Sequence, residues 1–370
     1  MNKAFGSFKD EGSGQVYPAD LKELLTLAVE KNASDIHLTA GAPPVARIYG
    51  KLVSLDFPNL TPKNIEDLVF PILDTQQRHE LMEKWELDFS YSIAGVSRFR
   101  GNIMRQRGTL AVAMRVIPYE IPTIESLKLP PCVADLCNLP RGLILITGPT
   151  GSGKSTTLAA MIDYINENRS LNIVTIEHPI EFLHRHKKSK VKQREVGSDT
   201  HSFADALKHV LRHDPDVILI GEMRDLESIS IALTAAETGH LVLSTLHTQT
   251  APLTIHRIID VFPEHMQNQV RQQLADALQG VISQQLLLRK DGSGRVLALE
   301  IMLATPAVRN LIRDGKEYQL YTCMQTGHQQ GMKTMDQSLA ELYMQGAISR
   351  ETAISRCVSR NELERLLGGM

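Results

Sequence analysis

Residues Gly148, Pro149, Thr150, Gly151, Ser152, Gly153, Lys154 and Ser155 follow the pattern GxxxxGK[ST]. Glycines so spaced let successive backbone N–H groups converge on phosphate oxygens with no Cβ in the way. A helix opening at Lys154 adds its N-terminal dipole. In such a loop the lysine neutralises the β- and γ-phosphates of a nucleoside triphosphate and the Ser155 hydroxyl holds Mg2+, with Thr156 closing the nucleotide-binding stretch. Hydrolysis further needs one carboxylate to orient or deprotonate water and another to order the metal shell. Glu177 follows the apolar run 173–176, and Glu222 follows Val217–Gly221. Both are expected to be catalytic, and Glu222 is expected to join Ser155 at the Mg2+. His240 and His247 bracket the apolar run Leu241–Leu246, where each could face the same cleft. A histidine at a strand end serves equally as a structural hydrogen-bonding partner.

These groups act together only if the intervening elements deliver them to one edge. From residue 132 onward, short apolar runs alternate with helical patterns: 143–147, a helix from Lys154, 172–176, a helix near 203–212, 217–220, a helix from Asp225, and 241–246. Buried runs between helices predict a parallel, doubly wound sheet. Beyond Pro263 the pattern is mostly helical, with one hairpin around Asp291-Gly292. Residues 18–118 read differently, as a small α+β domain with helices over 19–32, 61–73 and 75–84, a hairpin turning at Gly50-Lys51, and alternating strands across 88–117. Residues 1–17 read as a flexible extension, and 119–131, with Pro122, Pro130 and Pro131, as a linker. The second domain then occupies 132–370.

The whole chain bounds the function. It has 370 residues, 42% hydrophobic and 22% charged, a globular balance. Forty Lys plus Arg against 42 Asp plus Glu leave a net charge of −2, so there is no bulk attraction for nucleic acid or acidic lipid. No apolar run has the ~18 residues needed to cross a bilayer, and no signal-peptide core is present at the start. Cys132, Cys137, Cys323 and Cys357 show no CxxC spacing, which suits a reducing compartment rather than a zinc ribbon or disulfide framework. The basic run 184–194 lacks the interleaved aromatics of a single-strand binding surface and reads as a solvated loop. His209 and His213 lie four residues apart but lack a third ligand.

Taken together, these segments resemble the secretion and type IV pilus motor ATPases over roughly residues 18–360. The matching boxes are Gly148–Ser155, Thr175–Glu181, Asp216–Asp225 and Gly239–His247, with Gln193–Gly197 and Ala235–His240 in support. Ala307, Val308, Arg309, Asn310, Leu311 and Ile312 are similar to a segment that marks retraction motors. The resemblance implies an α/β chain, with a PAS-like α+β N-terminal domain followed by a RecA-like P-loop ATPase domain and a helical C-terminal region. It implies ATP and Mg2+ as cofactors and a homohexamer driving pilus retraction. The ring would sit in the cytoplasm, peripheral at the inner membrane of a piliated bacterium, against an inner-membrane platform protein. Neither nucleic-acid binding nor direct membrane insertion is expected. It further implies that Arg100 and Arg115, among the arginines of the first domain, reach the γ-phosphate, and that Arg194 and Arg212 could reach a neighbouring subunit's nucleotide. An accessory pilus retraction ATPase and a RecA-like nucleic-acid translocase are the alternatives. One departure stands out: His178 occupies the place of the family's aspartate beside Glu177. A titrating imidazole there predicts turnover that changes between about pH 6 and 8.

Overall fold

In a computed structural model, the structure describes residues 7–9, 16–18, 20–117 and 120–368. The chain divides into two compact units. One comprises residues 1–120 with 181–183, and the other 121–180 with 184–370.

The first unit opens with β1 (Ser7–Lys9) and β2 (Val16–Pro18), paired antiparallel. These strands fall in or beside the segment 1–17, read as a flexible extension; its other positions lie outside the described residues. Helix α1 (Leu21–Glu30) begins where the Asp20 carboxylate accepts the Glu23 N–H, and it buries Leu21, Leu24, Leu25 and Ala28 on one stripe. Then come β3 (Ala33–Thr39), β4 (Val45–Ile48), β5 (Lys51–Ser54), α2 (Pro62–Val69), α3 (Thr75–Lys84), β6 (Glu86–Ile93), β7 (Ser97–Gln106) and β8 (Thr109–Ile117). The hairpin β4–β5 turns at Tyr49-Gly50, not Gly50-Lys51: both residues have positive φ, as the right-handed twist of a two-residue hairpin demands. The six strands form an antiparallel sheet in the order β5-β4-β3-β8-β7-β6. One face packs on the helices around Phe99, Ile103, Ile36 and Met114.

The second unit runs α4 (Pro131–Cys137), β9 (Gly142–Thr147), α5 (Lys154–Asn168), β10 (Asn172–Glu177), β11 (Lys190–Glu195), α6 (Phe203–Val210), β12 (Val217–Ile220), α7 (Leu226–Glu237), β13 (Leu241–Leu246), α8 (Ala251–Asp260) and α9 (Glu264–Ala277). It closes with β14 (Leu278–Leu288), β15 (Arg295–Leu303), α10 (Pro306–Arg313), α11 (Leu320–Thr326), α12 (Met335–Met344), α13 (Arg350–Arg356) and α14 (Arg360–Gly368). The seven strands lie in the order β11-β10-β12-β13-β9-β14-β15, all parallel except β15.

Strands β9, β12 and β13 are buried throughout because helices cover both faces. Their alternate residues divide between two cores: Leu143 and Leu145 enter one, Ile144 and Ile146 the other. Only the first half of the basic run, residues 184–189, is a loop. Its second half is the edge strand β11, whose exposed Lys190 and Lys192 alternate with buried Val191 and blunt a sheet edge that would otherwise invite pairing. The region after Pro263 is mostly helical, with the β14–β15 hairpin turning around Asp291-Gly292; what the sequence did not show is that β14 pairs with β9 and extends the central sheet. Among the described residues, no helix is long and apolar enough to cross a membrane.

Candidate active site

In a parallel sheet every strand delivers its carboxyl end to the same edge, where α/β proteins bind ligands. The in-register pairs Ile176↔Ile220, Ile220↔Ser244 and Leu246↔Thr147 fix which residues arrive there. The phosphate loop leaves β9, Glu177 ends β10, Gly221-Glu222 leaves β12, and His247 leaves β13. Glu177 therefore lies three strand spacings, about 14 Å, from the strand bearing the loop, and β12 lies about 10 Å away.

The loop has the backbone its glycines were read for. Gly148, Gly151 and Gly153 all have positive φ. An added Cβ at Gly148 would overlap the main-chain oxygen of Gln284. Lys154 Nζ donates to the Gly148 oxygen at 2.9 Å and the Pro149 oxygen at 3.1 Å, so its ammonium is held over the loop rather than released to solvent.

The two carboxylates stand in different settings. Glu177 Oε1 accepts from Thr175 Oγ1 at 2.6 Å and Gln193 Nε2 at 3.1 Å, partners on β10 and β11 that fix its rotamer. Glu222 Oε2 lies 2.7 Å from Arg224 Nη2 and 3.6 Å from His247 Nε2. Gly221 lets the two strand ends close up: its N–H donates to the Ile176 oxygen at 2.7 Å, and a Cβ there would meet that oxygen at 3.2 Å. On β13, Ser244 and Thr245 donate to the Ile220 and Gly221 oxygens, tying down the segment that carries Glu222.

His240 does not join this group. It precedes β13 while His247 follows it, which puts them roughly 20 Å apart at opposite edges of the sheet. Its Nδ1 lies 3.0 Å from the Ala235 oxygen, in the turn after α7. The expectation that both histidines could face the cleft fails because a parallel strand sends only one of its ends there. His178 is exposed, and its bond to Pro179 is cis. The fixed partners of Glu177 are Thr175 and Gln193, which sequence reading did not single out; the signal was alternation, since Thr175 sits two residues from Glu177 on the same strand face.

Among the arginines, Arg194 donates to the Asp199 oxygen at 2.9 Å within its own turn, and Arg212 is exposed in a 3-10 turn after α6. In the first unit Arg100 and Arg115 are direct cross-strand neighbours on β7 and β8, and Asp35 on β3 is the next residue in that row. Like charges side by side repel. Asp35 offsets this by accepting from Arg115 Nε at 2.8 Å, with Arg47 at 3.8 Å on its other oxygen. Burial pushes the Asp35 carboxyl up, but the Ser34 hydroxyl and the Arg115 guanidinium outweigh it and hold the group below its ordinary value. Arg105 instead lies over the Trp85 ring, 5.5 Å from its centre.

Residues 307–312 form most of α10, with Val308 and Ile312 buried in the main core. Arg309 is half-buried. It donates to the main-chain oxygens of Ala275 and Asp276 at the end of α9 and to Gln279 Oε1.

The residues around the loop fit Mg2+ by their chemistry. Ser155 and Glu222 offer hard oxygens, and no group of three or more His, Cys, Asp or Glu among the described residues forms a cage of its own. Such a site takes one or two protein oxygens and completes its shell with phosphates and water.

Residues 111–293 match the Type II/IV secretion system protein family. The chain is 50% identical to the type IV pilus retraction ATPase PilT of Pseudomonas aeruginosa, over 90% of this chain and 97% of that one. The chain belongs to the type II/IV secretion system ATPases. It is also 42% identical to the type IV pilus ATPase PilU of the same organism, over 94% of this chain and 91% of the relative. A crystal structure of the pilus retraction motor PilT with bound ADP superimposes with a TM-score of 0.86 at 54% identity, covering 94% of this chain and 99% of the other. The family assignment settles the fold class as α/β, an N-terminal domain followed by an ATPase domain with C-terminal helices, and the chemistry as that of an ATPase.

Proposed function

We propose that this chain is the motor ATPase of type IV pilus retraction and turns over ATP as a closed ring of six copies. One observation carries the chemistry: a glycine-rich phosphate loop and two differently anchored carboxylates leave one edge of one parallel sheet. Glu177, oriented by Thr175 and Gln193, positions the attacking water. Glu222 and Ser155 are the residues that would hold Mg2+, which when bound neutralises phosphate charge. His247, beside Glu222, follows β13 at the edge that would carry the terminal phosphate. Arg100 and Arg115 are the cations that a PAS-like N-terminal domain supplies to the γ-phosphate, with Asp35 accepting from Arg115.

The greater identity to PilT than to PilU, together with Ala307–Ile312, favours the retraction motor over its accessory paralogue. The ring works in the cytoplasm against a platform protein at the inner membrane. Purified chain should hydrolyse ATP in the presence of Mg2+, and Lys154→Ala should abolish turnover. In cells, deleting the gene should leave surface pili present but twitching lost, restored by the wild-type gene and not by Lys154→Ala. Turnover surviving in Lys154→Ala, or normal twitching after deletion, overturns the reading.

A further inference from the structure

Strand β14 was not visible as part of the nucleotide site in the sequence, yet it runs directly beneath the phosphate loop. It pairs in parallel with β9, and its Ser283 is the register partner of Thr147, the last strand residue before the loop. Their two hydroxyls are hydrogen-bonded at 2.7 Å in the core. The next residue, Gln284, is 1% exposed, and its side-chain Nε2 donates to the main-chain oxygen of Ser152 at 2.9 Å. Its main-chain oxygen lies where a Cβ on Gly148 would be, and its Nε2 would be 3.3 Å from a Cβ on Gly153. Gln284 thus lies against the loop at Gly148, Ser152 and Gly153. The other side-chain atom, Oε1, is buried without a partner, so the bond to Ser152 is the one that sets the amide's orientation.

The direction of that bond matters. A trans peptide is planar, with its C=O and N–H pointing opposite ways. Anchoring the Ser152 carbonyl down onto β14 turns the Gly153 N–H up, away from the sheet and into the concavity where loop amides collect phosphate oxygens. Gly153, with positive φ, and the start of α5 at Lys154 follow from the same peptide orientation.

We propose that Gln284 is a positioning residue for nucleotide binding: from β14 it locks the Ser152–Gly153 peptide with its N–H aimed at the polyphosphate. It touches neither substrate nor metal and acts through the loop. The inference rests on the ATPase reading above and deepens it.

The test uses the full-length chain and compares wild type with Gln284→Met, similar in volume but without a donor, and Gln284→Glu. Equilibrium affinities for ATP, ADP and inorganic tripolyphosphate are measured beside turnover at saturating ATP. In Gln284→Met, all three affinities should fall about tenfold, the scale of one lost orienting hydrogen bond, while saturated turnover stays within about threefold. In Gln284→Glu, a neutral carboxylic acid can still donate to the Ser152 oxygen, whereas a carboxylate repels it. Affinity in that variant should therefore recover toward wild type as pH falls from about 8.5 to 6, with no such recovery in Gln284→Met. This second series keeps the inference testable if Gln284→Met folds poorly. Wild-type ATP and tripolyphosphate affinity in Gln284→Met, with Lys154→Ala defective in the same assay, overturns the positioning role and leaves the ATPase reading standing. Failure of the wild-type chain to bind ATP overturns both.

Discussion

At the scale of single residues, the two glutamates differ by what holds them. Glu177 is fixed by a hydroxyl and an amide, Glu222 by a guanidinium, with the His247 ring 3.6 Å away. Glu177→Gln should keep ATP affinity within about tenfold yet slow hydrolysis by roughly 10²-fold or more, the scale of positioned acid–base catalysis; single-turnover kinetics with pre-bound ATP checks it. The expectation that His178 acts on Glu177 is tested by comparing the pH–rate profiles of His178→Asp and wild type: a flatter profile in the variant supports it and superimposable profiles remove His178 from the mechanism, while Gln193→Ala should lower turnover by about tenfold. A separate pH dependence, of stability, belongs to Glu300. Glu300 is fully buried, its oxygens accepting from the Ala251 and Met335 N–H groups at the starts of α8 and α12. Burial pushes its carboxyl from 4.5 up to about 7, against the pull of those two bonds. A carboxyl with a raised folded-state value is bound to its proton more tightly in the fold, so its contribution to stability is full below about 4.5 and is lost as pH rises through about 7. The difference in unfolding temperature, wild type minus Glu300→Gln, should therefore decrease between pH 5 and 8; a constant difference would show that Glu300 does not titrate in this range.

At the scale of elements, close approach of strand ends decides the site. Gly221 stands where β12 must come within van der Waals contact of the Ile176 oxygen, and the hydroxyls of β13 tether the same segment. Helix α10 shows a different use of a recognisable segment. Arg309 caps the last carbonyls of α9, groups a helix end otherwise leaves unpaired. Arg309→Ala should destabilise the chain by about 2 kcal/mol in urea unfolding, because the last carbonyls of α9 lose a charged donor. Arg309→Lys should recover less than half of that, since an ammonium cannot reproduce the guanidinium fork. If Arg309→Ala retains saturated turnover while twitching is lost, the helix transmits motor output; parallel loss of both would reduce it to a structural clamp.

At the scale of the whole molecule, a motor of this kind needs a closed assembly, and cyclic symmetry leaves no interface unmatched. Light scattering with a non-hydrolysable ATP analogue and Mg2+ should give a mass near six chains, and a monomer under every nucleotide condition would exclude the ring. Arg100 and Arg115 belong to this scale as well. If they share the charge of the transferred phosphoryl, Arg100→Ala should cut turnover by up to about 10³-fold. Asp35→Asn, which removes the carboxylate that offsets their repulsion, should lower it less, as read from steady-state rates at saturating ATP.

The sequence by itself determined the loop, the strand–helix alternation and the identity of both glutamates. Each of these depends on local spacing: glycines where φ must be positive, apolar runs where strands are buried, and a carboxylate at a strand's end. The strands of the first unit were legible in the alternation of residues 88–117 for the same reason, though not their antiparallel order. Tertiary structure alone decided what depends on strand order and direction. It separated His240 from His247, because only the carboxyl end of β13 meets the loop. It turned half of the basic run into an edge strand, because β11 pairs with β10 through main-chain groups that charge patterning does not reveal. It brought Gln193 to Glu177 and Gln284 to Ser152, contacts spanning 16 and 132 residues, which no local periodicity encodes.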